Sequence, residues 1–164
     1  INLVIDPTTY GTSTVGTATT FRTTYAMKFS GSPGTFTPDE TITQTNSDSL
    51  VATGKVIEYD ATLQILYYQH EKFSGYGTLS STGGLNLFSG TGTVTGGTSS
   101  ATGTPDSSAD SAVSLAGGNT ITFTNGFANP ELQPDSGNII YRENRKPISR
   151  ATDQTEDIKI IVEF

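Results

Sequence analysis

Apolar and polar positions alternate with period two in several stretches of the chain, the pattern of strands with one buried face. Phe21, Thr23, Tyr25, Met27 and Phe29 fall on one side of a segment whose other side holds Arg22, Thr24, Ala26 and Lys28, which predicts a strand over 21–29. Residues 51–59 and 63–68 read as two more strands. The intervening Tyr59-Asp60-Ala61-Thr62 suits a short turn, so the pair is expected to form a hairpin. Shorter strands fit 85–88, 91–95 and 120–123, the last followed by Asn125-Gly126, a dipeptide tolerant of positive φ. Near the end, 138–143 reads as a strand, and Ile158, Ile160, Val162 and Phe164 alternate along another. Residues 95–105 carry almost no apolar side chain and are expected to form a loop or mobile tip. Residues 107–115 have the length of a single helical turn, with Asp106 available as its N-cap. A weak echo links 34–43 with 71–79, each placing an aromatic residue before a turn and then an apolar strand position, as repeated hairpins around a barrel or sandwich would.

Composition supports this reading. Thr, Ser and Gly supply 64 of the 164 residues, whereas good helix formers are scarce, which excludes an all-helical fold. Net charge is −7, and this argues against a phosphate-binding surface, so no nucleic-acid partner is expected. The imbalance is local: residues 1–136 hold 4 basic and 11 acidic side chains, while 137–164 hold 5 of each. There is no cysteine, hence no disulfide framework and no thiolate chemistry. No apolar run approaches the roughly 18 residues of a helical membrane span, and no membrane partner is expected. The chain opens on Ile1-Asn2-Leu3-Val4-Ile5 without an initiator methionine, and a fragment of a longer protein is expected.

Catalytic constellations are hard to assemble from these residues. His70 is the sole histidine and has no second His or Cys with which to build a metal site; a packed or surface role suits it better. The acidic pairs Asp39/Glu40 and Glu58/Asp60 have the residue types glycoside hydrolysis uses, but there is no tryptophan to stack on a sugar. Asp106 and Asp110 sit in a Ser-rich stretch without the alternating ligands and fixed glycine of an EF-hand. No glycine-rich segment is followed by the Lys-Ser/Thr of a phosphate loop. No enzyme, cofactor or metal is expected.

The C-terminal segment is the most distinctive. Arg142, Arg145 and Arg150 lie within one polar loop of Asp153, Glu156 and Asp157, and Pro147 biases Lys146 toward extended geometry. Arginine's planar fork pairs well with carboxylates, so the loop is either braced by its own ion pairs or built to meet a neighbour.

Tyr141-x-Glu143-Asn144-Arg145-x-Pro147-Ile148, then Asp153-Gln154-Thr155-Glu156-x-Ile158-x-Ile160 and Phe164, resembles the C-terminus of the gene product eight family, baseplate wedge proteins of T-even-like contractile-tail phages. The opening Ile1-Asn2-Leu3-Val4-Ile5-Asp6-Pro7 looks like the strand and turn that precede that terminus in the family. The resemblance covers about 35 residues at the two ends; residues 8–136 depart from it as a Thr/Gly-rich insertion, and the family proteins are much longer. It implies a non-enzymatic, dimeric baseplate subunit, made in the bacterial host cytoplasm and residing in the virion, that contacts other wedge proteins. Because positive charge concentrates in this loop, the interface residues expected are Arg142, Asn144, Arg145, Pro147, Arg150, Asp153, Gln154 and Glu156, with Arg145 as the anchor beside the stiffening Pro147 and the turn-holding Asn144.

The fold expected is all-β and mainly antiparallel: a small parent sheet from residues 1–7 and 137–164, in which 1–5, 138–142 and 158–164 lie together, and a β-sandwich or barrel-like insertion over 8–136 with a flexible loop near 95–111. A structural role in wedge assembly is the first functional reading. The rival is an adhesin-like module in which Tyr59, Tyr67, Tyr68 and Tyr76 form an exposed face against a host glycan or a tail fibre. Burial of those tyrosines would favour a scaffold.

Overall fold

The computed structural model describes residues 2–17, 22–47, 49–70, 86–110 and 112–143. Their strands are β1 (Asn2–Ile5), β2 (Tyr25–Ser30), β3 (Thr41–Thr45), β4 (Val51–Asp60), β5 (Ile65–His70), β6 (Val94–Gly96), β7 (Thr102–Pro105), β8 (Ala112–Ser114), β9 (Thr120–Thr122), β10 (Phe127–Ala128) and β11 (Asn138–Arg142). All pairings between them are antiparallel. The chain is all-β, as expected.

Strands β2-β5-β4-β3-β6-β7 are hydrogen-bonded in that order, and β7 returns to β2, closing a six-stranded barrel. One edge of β2 pairs with β5; the other is shared, Ala26 and Met27 facing β10 and Phe29 and Ser30 facing β7. Closure leaves these strands without a free edge that invites aggregation. The interior is filled by Met27, Phe29, Phe36, Ile42, Val56, Leu66, Tyr68, Phe88 and Val94, with small Ala52 and Ala101 between them. Phe29 stacks on Phe36 with ring centroids 5.3 Å apart, and Tyr59 meets Phe36 edge-on at 5.5 Å.

Period two predicts one buried face for the strand containing residues 25–29, yet β2 is covered on both. Met27 and Phe29 enter the barrel, and Ala26 joins Ile65, Ala109, Ile121, Phe123 and Ala128 in a second cluster on the outer side. That outer layer is the β8–β9 hairpin and the segment leading to β10. The predicted strand at 21–29 starts only at Tyr25, because the Arg22 carbonyl accepts from Glu131 N and Leu132 N and its N–H is bound by the Glu131 carboxylate. Phe21 lies outside the described residues.

The expected hairpin of residues 51–68 is β4–β5, turned through Asp60, whose Oδ1 accepts the N–H groups of Thr62 and Leu63. The expected turn at Asn125-Gly126 is also present: both residues have positive φ, 50° and 84°, and Thr124 and Phe127 exchange both backbone hydrogen bonds.

Three expectations are corrected. The stretch 95–105, read as a loop, forms the β6–β7 hairpin: Gly96, Ala101, Gly103 and Pro105 are small and buried, Gly103 against Phe29 and Gly96 against Glu40, while the threonines face outward. The single helical turn at 107–115 is instead a turn followed by strand β8: Asp106 Oδ1 accepts from Ser108 N and Ser108 Oγ, but Val113 and Leu115 pack against the outer layer. No strand runs over 86–88 and the strand expected at 91–95 starts only at Val94; side chains satisfy this backbone instead, Gln44 accepting from Ser89 N and donating to Gly92 O, and Asn46 donating to Leu87 O. The second half of the internal echo, 71–79, lies outside the described residues.

Strands β1 and β11 meet in a stem. β1 pairs with β11, Asn2 opposite Arg142 and Ile5 opposite Asn138, with a bulge between Leu3 and Val4. The pairing continues toward the barrel: Thr8 N donates to Ser136 Oγ, Gln133 N to Thr8 O, Thr9 bridges Leu132, and Tyr10 N donates to Glu131 O. At Gly137, with φ 87°, an added Cβ would lie 2.6 Å from Ile5 O, so only glycine fits this crossing. Two of the three segments expected in the parent sheet are thus neighbours; residues 158–164 lie outside the described residues.

Candidate functional site

One carboxylate of each candidate acid pair, Glu40 and Asp60, serves the backbone. Glu40 is buried, and its two oxygens accept from Thr37 N at 2.8 Å, Thr98 N at 3.0 Å, Ser99 N at 2.8 Å and Ser99 Oγ at 2.7 Å. Burial by itself would raise its pKa, but the hydrogen bonds from Ser99, Thr37 and Thr98 outweigh it and hold the carboxyl at about 2. A carboxylate so saturated clamps the β6–β7 turn. The sequence does carry a sign of this: Thr37-x-x-Glu40 has the spacing of a capping box, here closing a turn that no helix follows. Asp39, next to it, has φ 65° and passes its N–H to Val56 O. In the other pair, Asp60 closes the β4–β5 turn, and Glu58 flanks the bulge opposite Tyr67.

His70 ends β5 among rings, 4.6 Å from Tyr25, 5.3 Å from Tyr68 and 5.4 Å from Phe88. Its Nδ1 is buried without a hydrogen-bond partner, and burial lowers its pKa to about 4. It is an aromatic plug in one end of the barrel. Asp106 and Asp110 are likewise engaged, the first with Ser108 and the second with Asn125 N at 2.6 Å. Among the described residues no group of three His, Cys, Asp or Glu converges on a point where a metal ion would bind.

The tyrosines do not make one exposed face. Tyr68 is 2% exposed inside the barrel, Tyr59 packs on the same core, and Tyr67 packs on the opposite side in the outer cluster. Tyr76 lies outside the described residues.

Exposed apolar side chains gather on the stem, with Val15, Val51, Ile57 and Leu87 exposed elsewhere. Leu3, Val4, Ile5, Ile139, Ile140 and Tyr141 are all 37–58% exposed on a two-stranded ribbon. Between one face of this ribbon and the barrel opens a cleft of about 490 Å³, lined by Val4, Pro7, Leu132, Pro134 and Ile139 among others. Of the expected interface residues, Arg142 sits at the end of β11, opposite Asn2 and exposed. Asn144, Arg145, Pro147, Arg150, Asp153, Gln154 and Glu156 lie outside the described residues. Reasoning from the sequence missed the Glu40 clamp and the Gln44 bridge, both polar residues buried to satisfy irregular backbone.

No curated protein and no solved structure matches the chain. The family model described as Phage-Gp8, Bacteriophage T4, Gp8 matches residues 113–164, beginning in the outer layer at β8 and running through the stem strand β11, so the C-terminal third of the chain is similar to the family that its Tyr141-to-Phe164 motif resembles.

Proposed function

We propose that this chain is a non-enzymatic structural part of a phage contractile-tail baseplate, in which residues 1–7 and 137–164 belong to a wedge-protein sheet and residues 8–136 form a β-barrel inserted into it. The observation that carries this reading is the family match over 113–164, which contains every expected interface residue. The architecture supports it: Glu40 and Asp60 close turns, His70 sits among aromatic rings, and Tyr59 and Tyr68 pack in the barrel core and Tyr67 in the outer cluster instead of presenting one sugar-stacking platform. The protein resides in the virion tail, after synthesis in the host cytoplasm, as a homodimer contacting other wedge proteins.

Within this reading the segment 142–156 is the assembly interface, with Arg145 as anchor. It concentrates positive charge in an otherwise acidic protein, and a buried arginine is favourable only against a well-placed carboxylate. The test is an Arg145→Ala, Arg150→Ala double variant. Its isolated unfolding is expected to match the parent while wedge assembly fails, with a loss on the order of 2–5 kcal/mol in association where a buried charge loses its partner. Normal assembly of the variant overturns the interface; a destabilised isolated chain places the arginines in internal pairs instead.

A further inference from the structure

Residues 86–92, which lead into β6, lie as a strap against the His70 end of β5. Side-chain hydrogen bonds tie the strap to the other described residues. Gln44 accepts from Ser89 N at 2.9 Å and donates to Gly92 O at 2.7 Å, while Asn46 donates to Leu87 O at 2.8 Å and to Asn86 Oδ1 at 3.2 Å. Phe88 is its one large buried side chain, 5% exposed, whereas Leu87 is 50% exposed. The Phe88 ring meets Tyr68 edge-on at 5.0 Å and lies 5.4 Å from His70. It fills the space left by Gly54, the ladder partner of His70, where an added Cβ would come within 3.1 Å of the ring. Among the described residues four buried side-chain polar atoms have no hydrogen-bond partner, and three of them are here: His70 Nδ1, Asn46 Oδ1 and Asn86 Nδ2. Buried polar atoms are nearly always paired, so three orphans in one place mark a weakly held element.

We infer that residues 86–92 form a proton-released strap: protonation of His70 frees Phe88, which swings out about Gly90 while the six barrel strands stay paired. Gly90 suits a pivot, because its φ is 67° and nothing lies within 4 Å of an added Cβ. The end nearer β6 stays fixed, because Gly92 is packed on Thr45 O, where a Cβ would lie 2.7 Å away. Facing the imidazole are Tyr25 of β2 at 4.6 Å, Tyr68 of β5 at 5.3 Å and Phe88 of the strap, with Gly54 of β4 beside it and Tyr10 behind Tyr25. Burial pushes the pKa of Tyr25 and Tyr68 up, so neither offers an imidazolium a negative charge. A cation enclosed there is costly, and release of the strap returns it to water. The closed ring has a pKa of about 4 and the open one the ordinary 6.5, so the open form binds the proton more tightly and opening grows as pH falls between these values.

The single histidine makes a clean test possible in the full chain. His70 ring resonances, followed by NMR as pH is lowered, should titrate well below the ordinary histidine range in the parent and closer to it in Phe88→Ala, which removes the covering ring. A parent that titrates in the ordinary range overturns the strap, as does a folded Phe88→Ala chain whose titration is unmoved. Amide hydrogen exchange in the parent separates local from global opening. Ser89 N–H, bonded to Gln44, should exchange faster than Val56 N–H, bonded to Glu40 O, and should ignore low urea while Val56 exchange rises with it. Between about pH 7.5 and about pH 4.5, the opening read at Ser89 should grow about 70-fold in the parent and less than about twofold in His70→Phe. Equal urea dependence at both amides would mean that the strap opens only with the barrel, and an undiminished pH response in His70→Phe would mean that another group drives it; either result overturns the inference.

Discussion

Ser99 and Glu40 are 59 residues apart in sequence and joined by three hydrogen bonds, from Ser99 N to Oε2 at 2.8 Å and from Ser99 Oγ to Oε1 at 2.7 Å and to Oε2 at 2.9 Å. This one carboxylate ties the loop before β3 to the turn between β6 and β7, and so holds the barrel's last hairpin in register. Glu40→Ala would leave the N–H groups of Thr37, Thr98 and Ser99 without their acceptor. The expected cost is about 2–3 kcal/mol, since charged hydrogen bonds contribute roughly 1.5–3 kcal/mol. Glu40→Gln, which keeps one acceptor oxygen, should lose about half as much. Urea unfolding of the two variants checks both values and their order.

Stability should fall in two separate steps as pH drops. His70 has a folded pKa of about 4 against an ordinary 6.5, so the unfolded chain binds more protons between these values and the protein loses stability as pH falls from about 6.5 to 4. Glu40 has a folded pKa of about 2 against 4.5, so its contribution is complete above 4.5 and is lost as pH falls toward 2. His70→Phe should flatten the upper step alone and Glu40→Gln the lower step alone, read as urea midpoint against pH. A single unbroken decline that neither substitution alters would contradict both assignments.

Gly103 faces the Phe29 ring so closely that an added Cβ would lie 2.8 Å from its carbons. The ring is stacked on Phe36 and tilted against Tyr59, so it has little room to give. Gly103→Ala should therefore destabilise by about 1–3 kcal/mol through overpacking. Gly117→Ala is the control, because nothing lies within 4 Å of its added methyl and its φ is not positive. A thermal midpoint lowered by the first and unmoved by the second is the expected pair of results.

The β4–β5 hairpin and the Asn125-Gly126 turn were legible because their signals are local: alternation, an aspartate at the turn, a dipeptide suited to positive φ. Pairing of β1 with β11 was legible because Leu3, Val4, Ile5, Ile139 and Ile140 are β-branched or aliphatic runs in a Thr/Gly-rich chain. The β6–β7 hairpin was not. Its buried positions are Gly96, Ala101, Gly103 and Pro105, and such residues carry no hydrophobic signal; Gly103 is placed inside by the Phe29 ring opposite and Gly96 by the Glu40 carboxylate, partners distant in sequence that no window reveals. The same holds for 86–92, where Gln44 and Asn46, more than 40 residues away, satisfy backbone that a strand would have paired. At the candidate interface the motif is all that can be read, because residues 144–156 lie outside the described residues.

The barrel should fold without the stem ribbon. Its six strands close on themselves, its interior and outer clusters draw only on residues between 25 and 128, and the neck around Thr8 and Gln133 brings the two entry strands together. The ribbon strands β1 and β11 belong to neither cluster, and their apolar side chains are exposed. A fragment spanning residues 6–137 should therefore unfold cooperatively, with a thermal midpoint within about 5 °C of the full chain, a difference that corresponds to roughly 1 kcal/mol for a domain of this size. It should also be more soluble, because the exposed ribbon is gone. The reciprocal deletion, joining Pro7 to Gly137 by a short linker, removes the barrel and leaves a sheet that depends on whatever covers its apolar face; residual strand content in that variant would be measured by far-ultraviolet dichroism. A non-cooperative transition in the 6–137 fragment would show that the ribbon contributes to the barrel's stability, and the division of the chain into insertion and parent sheet would fall with it.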